Sequence, residues 1–149
     1  PNGLPVQQNY METNVESFEM RINGVKKRFY NRVEYGDIDK RGQQQGISPN
    51  FIHSMDACHL QRVVVASKAE GNNNFSMIHD SFGTDMSHAG DLFRIIREQF
   101  VKLYDGQDYL KQFMEDISYL IDGDAELPQQ PAFGKLNIEQ VKKSNFCFA

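Results

Sequence analysis

The dipeptide Asn23-Gly24, flanked on both sides by alternating apolar and polar residues, constrains this chain more than any other feature. Both positions of a type I′ hairpin turn need positive φ, which Asn and Gly supply. A turn there sets the register. Ile22 faces Val25, Met20 faces Lys27 and Phe18 faces Phe29, while Arg21 faces Lys26, Glu19 faces Arg28 and Ser17 faces Tyr30. One face is largely apolar and the other is polar with an opposite-charge pair, the division that cross-strand pairing favours. A hairpin over Glu16–Tyr30 is expected.

The rest of the chain alternates between helical and extended patterns. Gly36–Gly46 reads as a loop, and Ser48-Pro49 as a helix start, since Pro is tolerated in a first turn. Asn50–Glu70 then runs without a breaker to Gly71. Phe75–Ile78 and Ser81–Thr84 read as two short strands around a tight turn. Ser87 is the expected cap of a helix whose apolar positions Leu92, Ile95, Ile96, Phe100 and Leu103 follow a helical rhythm until Gly106. A further helix turns Tyr109, Leu110, Phe113, Ile117 and Leu120 inward. Asp122–Pro131 reads as a loop, and Asn137 caps a short helix to about Lys143. The fold class is α+β, with β-hairpins packed against several helices.

Eleven Phe and six Tyr among 149 residues are enough for a real core and exclude a disordered tail. A net charge of −4 excludes a simple basic nucleic-acid clamp. The charge is uneven, however: Arg21 to Arg41 holds seven basic and three acidic residues. No apolar run approaches a membrane span and no leader is visible, so no membrane partner is expected. Cys58 and Cys147 form no disulfide framework and are expected as free thiols in a reducing compartment. The chain begins at Pro1 and reads as a piece of a longer protein.

Four chemical readings compete. His53, Asp56 and His59 lie at i, i+3 and i+6, a fan of about 60° per step that is too wide for one zinc. His79, Asp80 and Ser81 are consecutive and cannot converge as a hydrolase triad, and there is no Gly-x-Ser-x-Gly elbow. The order His53, His79-Asp80, Asp105 resembles the HD phosphohydrolases, whose doublet sits on a helix. Here the doublet falls between two strand patterns. An aspartate at the tip of a tight hairpin instead offers carboxylate oxygen to a hard cation such as Mg²⁺. Phosphoryl transfer by two such metals needs at least two carboxylates. Only Asp80 is well placed for this, and Asp85 reads as a solvated loop acid.

The segment Ile78-His79-Asp80-Ser81-Phe82-Gly83-Thr84 resembles the palm hairpin of single-subunit, phage-type DNA-directed RNA polymerases. Gly46-Ile47-Ser48-Pro49-Asn50-Phe51-Ile52-His53-Ser54-Met55-Asp56-Ala57-Cys58-His59-Leu60 is similar to another distinctive stretch of that family. Gly3-Leu4-Pro5-Val6-Gln7-Gln8-Asn9-Tyr10 and the terminal Phe146-Cys147-Phe148-Ala149 also match, so four blocks in order span the chain. Met55 and Ala57-Cys58 depart from the common pattern without touching the metal site.

The resemblance implies a C-terminal fragment of such a polymerase. Residues 1–46 would be the end of the fingers, with a promoter-specificity-like hairpin. Residues 47–149 would be the later palm, with a catalytic hairpin at 75–85 and a C-terminal tail. It implies two-Mg²⁺ nucleotidyl transfer with Asp80 as catalytic metal ligand, the second aspartate lying outside this chain, so that the chain alone is inactive. It assigns His79 to the growing RNA end, His53 to the minor-groove edge of the terminal RNA–DNA pair, and Ala149 to the underside of the active site. In the hairpin, Ser17, Glu19 and Arg21 become candidates for reading promoter bases, and Lys26, Lys27 and Arg28 for holding phosphates. The implied partners are DNA template and promoter, RNA product, nucleoside triphosphates and the remaining polymerase chain or a larger subunit. The implied location is host-cell cytoplasm. A non-enzymatic small subunit of a split polymerase is the other reading this resemblance permits.

Overall fold

The computed structural model describes residues 2–121 and 128–147, so part of the expected Asp122–Pro131 loop and Ala149 lie outside the described residues. Strands and helices are both well represented, as the α+β expectation requires. Two compact units are present, one of Gly3–Met55 and the other of Asn2 with the residues from Asp56 onward.

The first unit is dominated by a long antiparallel ribbon of β1 (Met11–Ile22) and β2 (Val25–Ile38). Asn23 and Gly24 take φ of +53° and +78°, and every expected pair from Ile22↔Val25 to Ser17↔Tyr30 is observed. The ribbon is longer than Glu16–Tyr30, because pairing continues through Val15↔Arg32, Asn14↔Val33 and Thr13↔Glu34. An irregularity follows between Met11 and Thr13 on β1, close to where Gly36 takes φ of +84° on the opposite strand. The side chains of Phe18 and Phe29 stack with centroids 5.6 Å apart. Phe18 and Met20 are nonetheless each 50% exposed and Val25 58%, so the described residues leave the apolar face of the ribbon uncovered.

α1 (Lys40–Ala69) starts eight residues before the expected Ser48-Pro49 boundary, and most of the anticipated Gly36–Gly46 loop is helical. Asp39 caps it by accepting from the Gly42 amide at 2.9 Å. Pro49 sits inside the helix, where it lacks an N–H for the fourth preceding carbonyl. Two glycines and a proline make this turn-by-turn a poor helix, and local tertiary contacts supply what propensity does not. Gln8 donates to the Gln43 carbonyl (2.6 Å) and Oε1 (2.8 Å), while Gln43 Nε2 returns a bond to the Gln8 carbonyl at 2.9 Å. Asn50 donates to Gln8 and Tyr10, each at 3.2 Å. A Cβ at position 46 would lie 2.5 Å from the Tyr10 ring, so Gly46 permits this approach.

The second unit has its core on Val63 of α1 and on Leu92, Ile95 and Ile96 of α2 (Ala89–Tyr104). A short hairpin, β3 (Phe75–Ile78) with β4 (Ser81–Thr84), adds Met77 and its cross-strand partner Phe82 to this core. A hairpin of this size has little stability of its own, and the core contact holds it. α2 is not capped by Ser87: Asp85 caps a 3₁₀ turn, Met86–His88, that leads into it. α3 (Tyr109–Ile117) is capped by Asp108, and Tyr109 donates to the Leu103 carbonyl at 2.6 Å. Phe113 and Ile117 are half-buried as expected, whereas Leu110 and Leu120 are exposed. Asn137 caps a 3₁₀ segment, Ile138–Lys143. Buried Arg97, lying over the Phe93 ring, ties the end of that segment to α2 by donating to the Ser144 carbonyl at 3.2 Å.

Candidate functional site

His79 and Asp80 are the two loop residues between the paired ends Ile78 and Ser81, and both are exposed. Alternation explains the outward aim: Met77 and Phe82 face the core, so the turn beyond them projects from it. His79 takes φ of +54°, a left-handed conformation that costs a non-glycine L-residue about 1–2 kcal/mol. Such strain is kept where surrounding contacts over-determine the backbone.

The side-chain contacts that anchor the hairpin lie at its open end. Asn72, buried after α1, donates from its backbone to the Ser67 carbonyl (3.1 Å) and from its side chain to Thr84 Oγ1 (2.8 Å). Thr84 Oγ1 donates to the Asn74 carbonyl at 2.8 Å. Asp85 accepts from Ser87 Oγ at 2.6 Å, from His88 Nδ1 at 2.8 Å and from Asn74 Nδ2 at 3.0 Å. The Ser87 hydroxyl first, then Asn74 and His88, hold the Asp85 carboxyl well below the usual carboxylate range. Asp85 is thus a structural clamp for both ends of the hairpin and not a solvated loop acid. The spacing Asp85-x-Ser87-His88, an acid three residues before the amide it caps, was the available signal.

A turn between strands is not the helical setting that an HD doublet needs, and that alternative fails on this geometry. Among the described residues no group of three or more His, Cys, Asp or Glu side chains could hold a metal ion. The exposed Asp80 carboxylate is the kind of oxygen donor that a hard cation such as Mg²⁺ favours. His53 is exposed on α1. His59 is buried, with Nε2 2.9 Å from the Ile96 carbonyl and its ring edge-on to Phe82 and Phe100. Burial holds the His59 pKa below its ordinary value, against the smaller opposing effects of the Ile96 carbonyl and Asp56. It is a core residue.

On the ribbon, Ser17, Glu19, Arg21, Lys26 and Arg28 share one exposed face, and Lys27 lies on the other, opposite Met20. Glu19 is ion-paired through Oε2 to Lys26 and through Oε1 to Arg28 at 2.9 Å. Lys26 foremost, and then Arg28, lower its pKa. Among the described residues no helix is long and apolar enough to cross a membrane. Both cysteines are free, as expected.

Residues 1–127 match the family model described as DNA-dependent RNA polymerase. The chain belongs to the DNA-dependent RNA polymerase family. It is 36% identical to the DNA-directed RNA polymerase of Enterobacteria phage K11 and 34% identical to T7 RNA polymerase of Escherichia phage T7. Each alignment covers 100% of this chain and 17% of the relative. A chloroplastic DNA-directed RNA polymerase 3B of Nicotiana tabacum is 32% identical over 99% of this chain and 14% of that protein. The chain therefore resembles a phage-type polymerase region and spans about a sixth of the length of these relatives. With an organellar protein among them, family membership does not by itself assign a compartment.

Proposed function

We propose that this chain is the C-terminal part of a phage-type, single-subunit RNA polymerase and supplies one of two Mg²⁺-binding carboxylates, Asp80, for template-directed nucleotidyl transfer. The observation that carries the reading is the exposed His79-Asp80 turn, braced from beneath, in a chain of this family. Magnesium bound there would stabilise charge developing on the transferring phosphoryl group. The hairpin carries Asp80 at its outward turn, and His79 beside it offers a donor to the RNA end. His53 is assigned to the minor-groove edge of the terminal pair, where accepting every correct pair suits degenerate acceptors. The family resemblance assigns a place beneath the site to Ala149, which lies outside the described residues. The ribbon reads promoter bases with Ser17, Glu19 and Arg21 and holds phosphates with Lys26, Lys27 and Arg28. DNA, RNA and nucleoside triphosphates are the corresponding partners, and the host cytoplasm the place of action for a phage-encoded enzyme.

In the intact polymerase, Asp80→Asn is expected to lower turnover by about 10³-fold or more while leaving promoter binding near normal. A variant that keeps a tenth of the rate would overturn the ligand assignment. This chain alone should incorporate no labelled nucleotide above a protein-free blank. Triple substitution of Ser17, Glu19 and Arg21 should change promoter preference in competition transcription, and unchanged preference would make the ribbon purely structural.

A further inference from the structure

The two faces of the ribbon differ sharply. One carries Phe18, Met20, Ile22, Val25 and Phe29, and the other carries Arg21, Lys26, Arg28 and Arg32. Glu19 sits among the cations of that face with its two oxygens divided between Lys26 and Arg28, while the face's other carboxylate, Glu34, lies beyond Arg32. Lys26 and Arg28 are 64% and 58% exposed at the side chain, so a ligand can approach both from solvent. Lys27 on the other face, and Arg21 and Arg32 on this one, make no ion pair among the described residues. The three consecutive cations are therefore not equivalent, and only the two on the basic face are masked.

A carboxylate bridging two cations through separate oxygens is the geometry in which a phosphate diester would be held. Exposed ion pairs are individually weak, so a nucleic-acid backbone can displace this one. We propose that Glu19 is an internal stand-in for a DNA phosphate: it masks Lys26 and Arg28 in the free protein and yields them when a duplex backbone is engaged. The proposal rests on the reading of the ribbon as a DNA-contacting element and assigns Glu19 a different role within it. The masking lowers affinity for DNA of any sequence by the cost of breaking the two ion pairs, and so holds down binding to arbitrary DNA.

The test uses the full 149-residue chain and a fluorescein-labelled random-sequence duplex of about 20 base pairs, followed by anisotropy over a range of KCl concentrations. Glu19→Gln, which keeps shape and removes charge, should bind about three- to tenfold tighter at low salt. Its plot of log K against log salt should be steeper by about 1 to 2, one phosphate contributing about 0.9. The double variant Lys26→Ala with Arg28→Ala should bind more weakly than the parent chain. If the double variant weakens binding and Glu19→Gln leaves it unchanged or weaker, the masking role is overturned and the DNA-contacting role stands. If neither variant alters affinity or slope, both are overturned. All three positions are exposed, so none of these changes removes a core contact.

Discussion

Asn74 and Asp85 stand on either side of the β3–β4 hairpin and close its base, Asn74 Nδ2 donating to Asp85 Oδ2 at 3.0 Å. Asp85→Ala removes that bond together with those from Ser87 and His88, and so loosens the base of the hairpin, which Thr84 still ties to Asn72 and Asn74. A melting temperature lower by a few degrees is expected, with faster amide exchange at Ile78–Ser81. The carboxyl titrates below its unfolded value, so its contribution is complete at neutral pH. It is lost as pH falls through and below the ordinary carboxylate range. The alanine variant should therefore show a shallower loss of stability on acidification, read from thermal melts between pH 7 and pH 3.

His79 tests the backbone itself. Its φ of +54° is tolerated by Asn and resisted by β-branched residues. His79→Asn should leave folding stability nearly unchanged, whereas His79→Val should cost about 1–2 kcal/mol although the side chain is exposed. Urea unfolding of the two variants makes the comparison, and equal stabilities would show that the turn relaxes.

His59 should protonate below the ordinary histidine range, because burial disfavours the imidazolium. Its pKa is depressed in the fold, so the stability it contributes is present above about 6.5 and declines as pH falls toward the folded value. NMR titration of the His59 imidazole signals checks the depression. His59→Ala, which opens a cavity beside Phe82 and Phe100, should destabilise by about 2–4 kcal/mol.

The two thiols should differ in reactivity. Cys147 is half-exposed, whereas Cys58 is buried, with its Sγ 2.7 Å from Asn2 Oδ1. A thiol reagent should titrate one group promptly in the native chain and two in urea. Intact mass under non-reducing conditions should show no internal bridge.

Elements whose local chemistry and packing agree were legible in advance. Asn23-Gly24 set the ribbon's register pair by pair, and the alternation of Met77 and Phe82 located the short hairpin that lifts Asp80 outward. The start of α1 was not legible, because Gly42, Gly46 and Pro49 argue against helix and only contacts from Gln8 and Tyr10 reverse the balance. Asp85 was missed for a related reason. Its role depends on Asn74, eleven residues earlier, which comes beside it only once the hairpin has formed. Exposure of the ribbon's apolar face has no local signature either, since alternation says which residues share a face and not what lies against it.

The proportions of the ribbon have a mechanical consequence. Its strands of 12 and 14 residues put the Asn23-Gly24 turn about 40 Å from its root at Met11. At that reach, a rotation of about 5° at the root carries the tip about 3.5 Å, close to one nucleotide step along a strand of duplex DNA. On the promoter reading proposed above, the residues fixing the angle of the arm are those clamping its foot: Gln8 against Gln43, Tyr10 against Gly46 and Asn50 beneath both. A substitution there touches no DNA, yet it would shift which base the distant tip addresses.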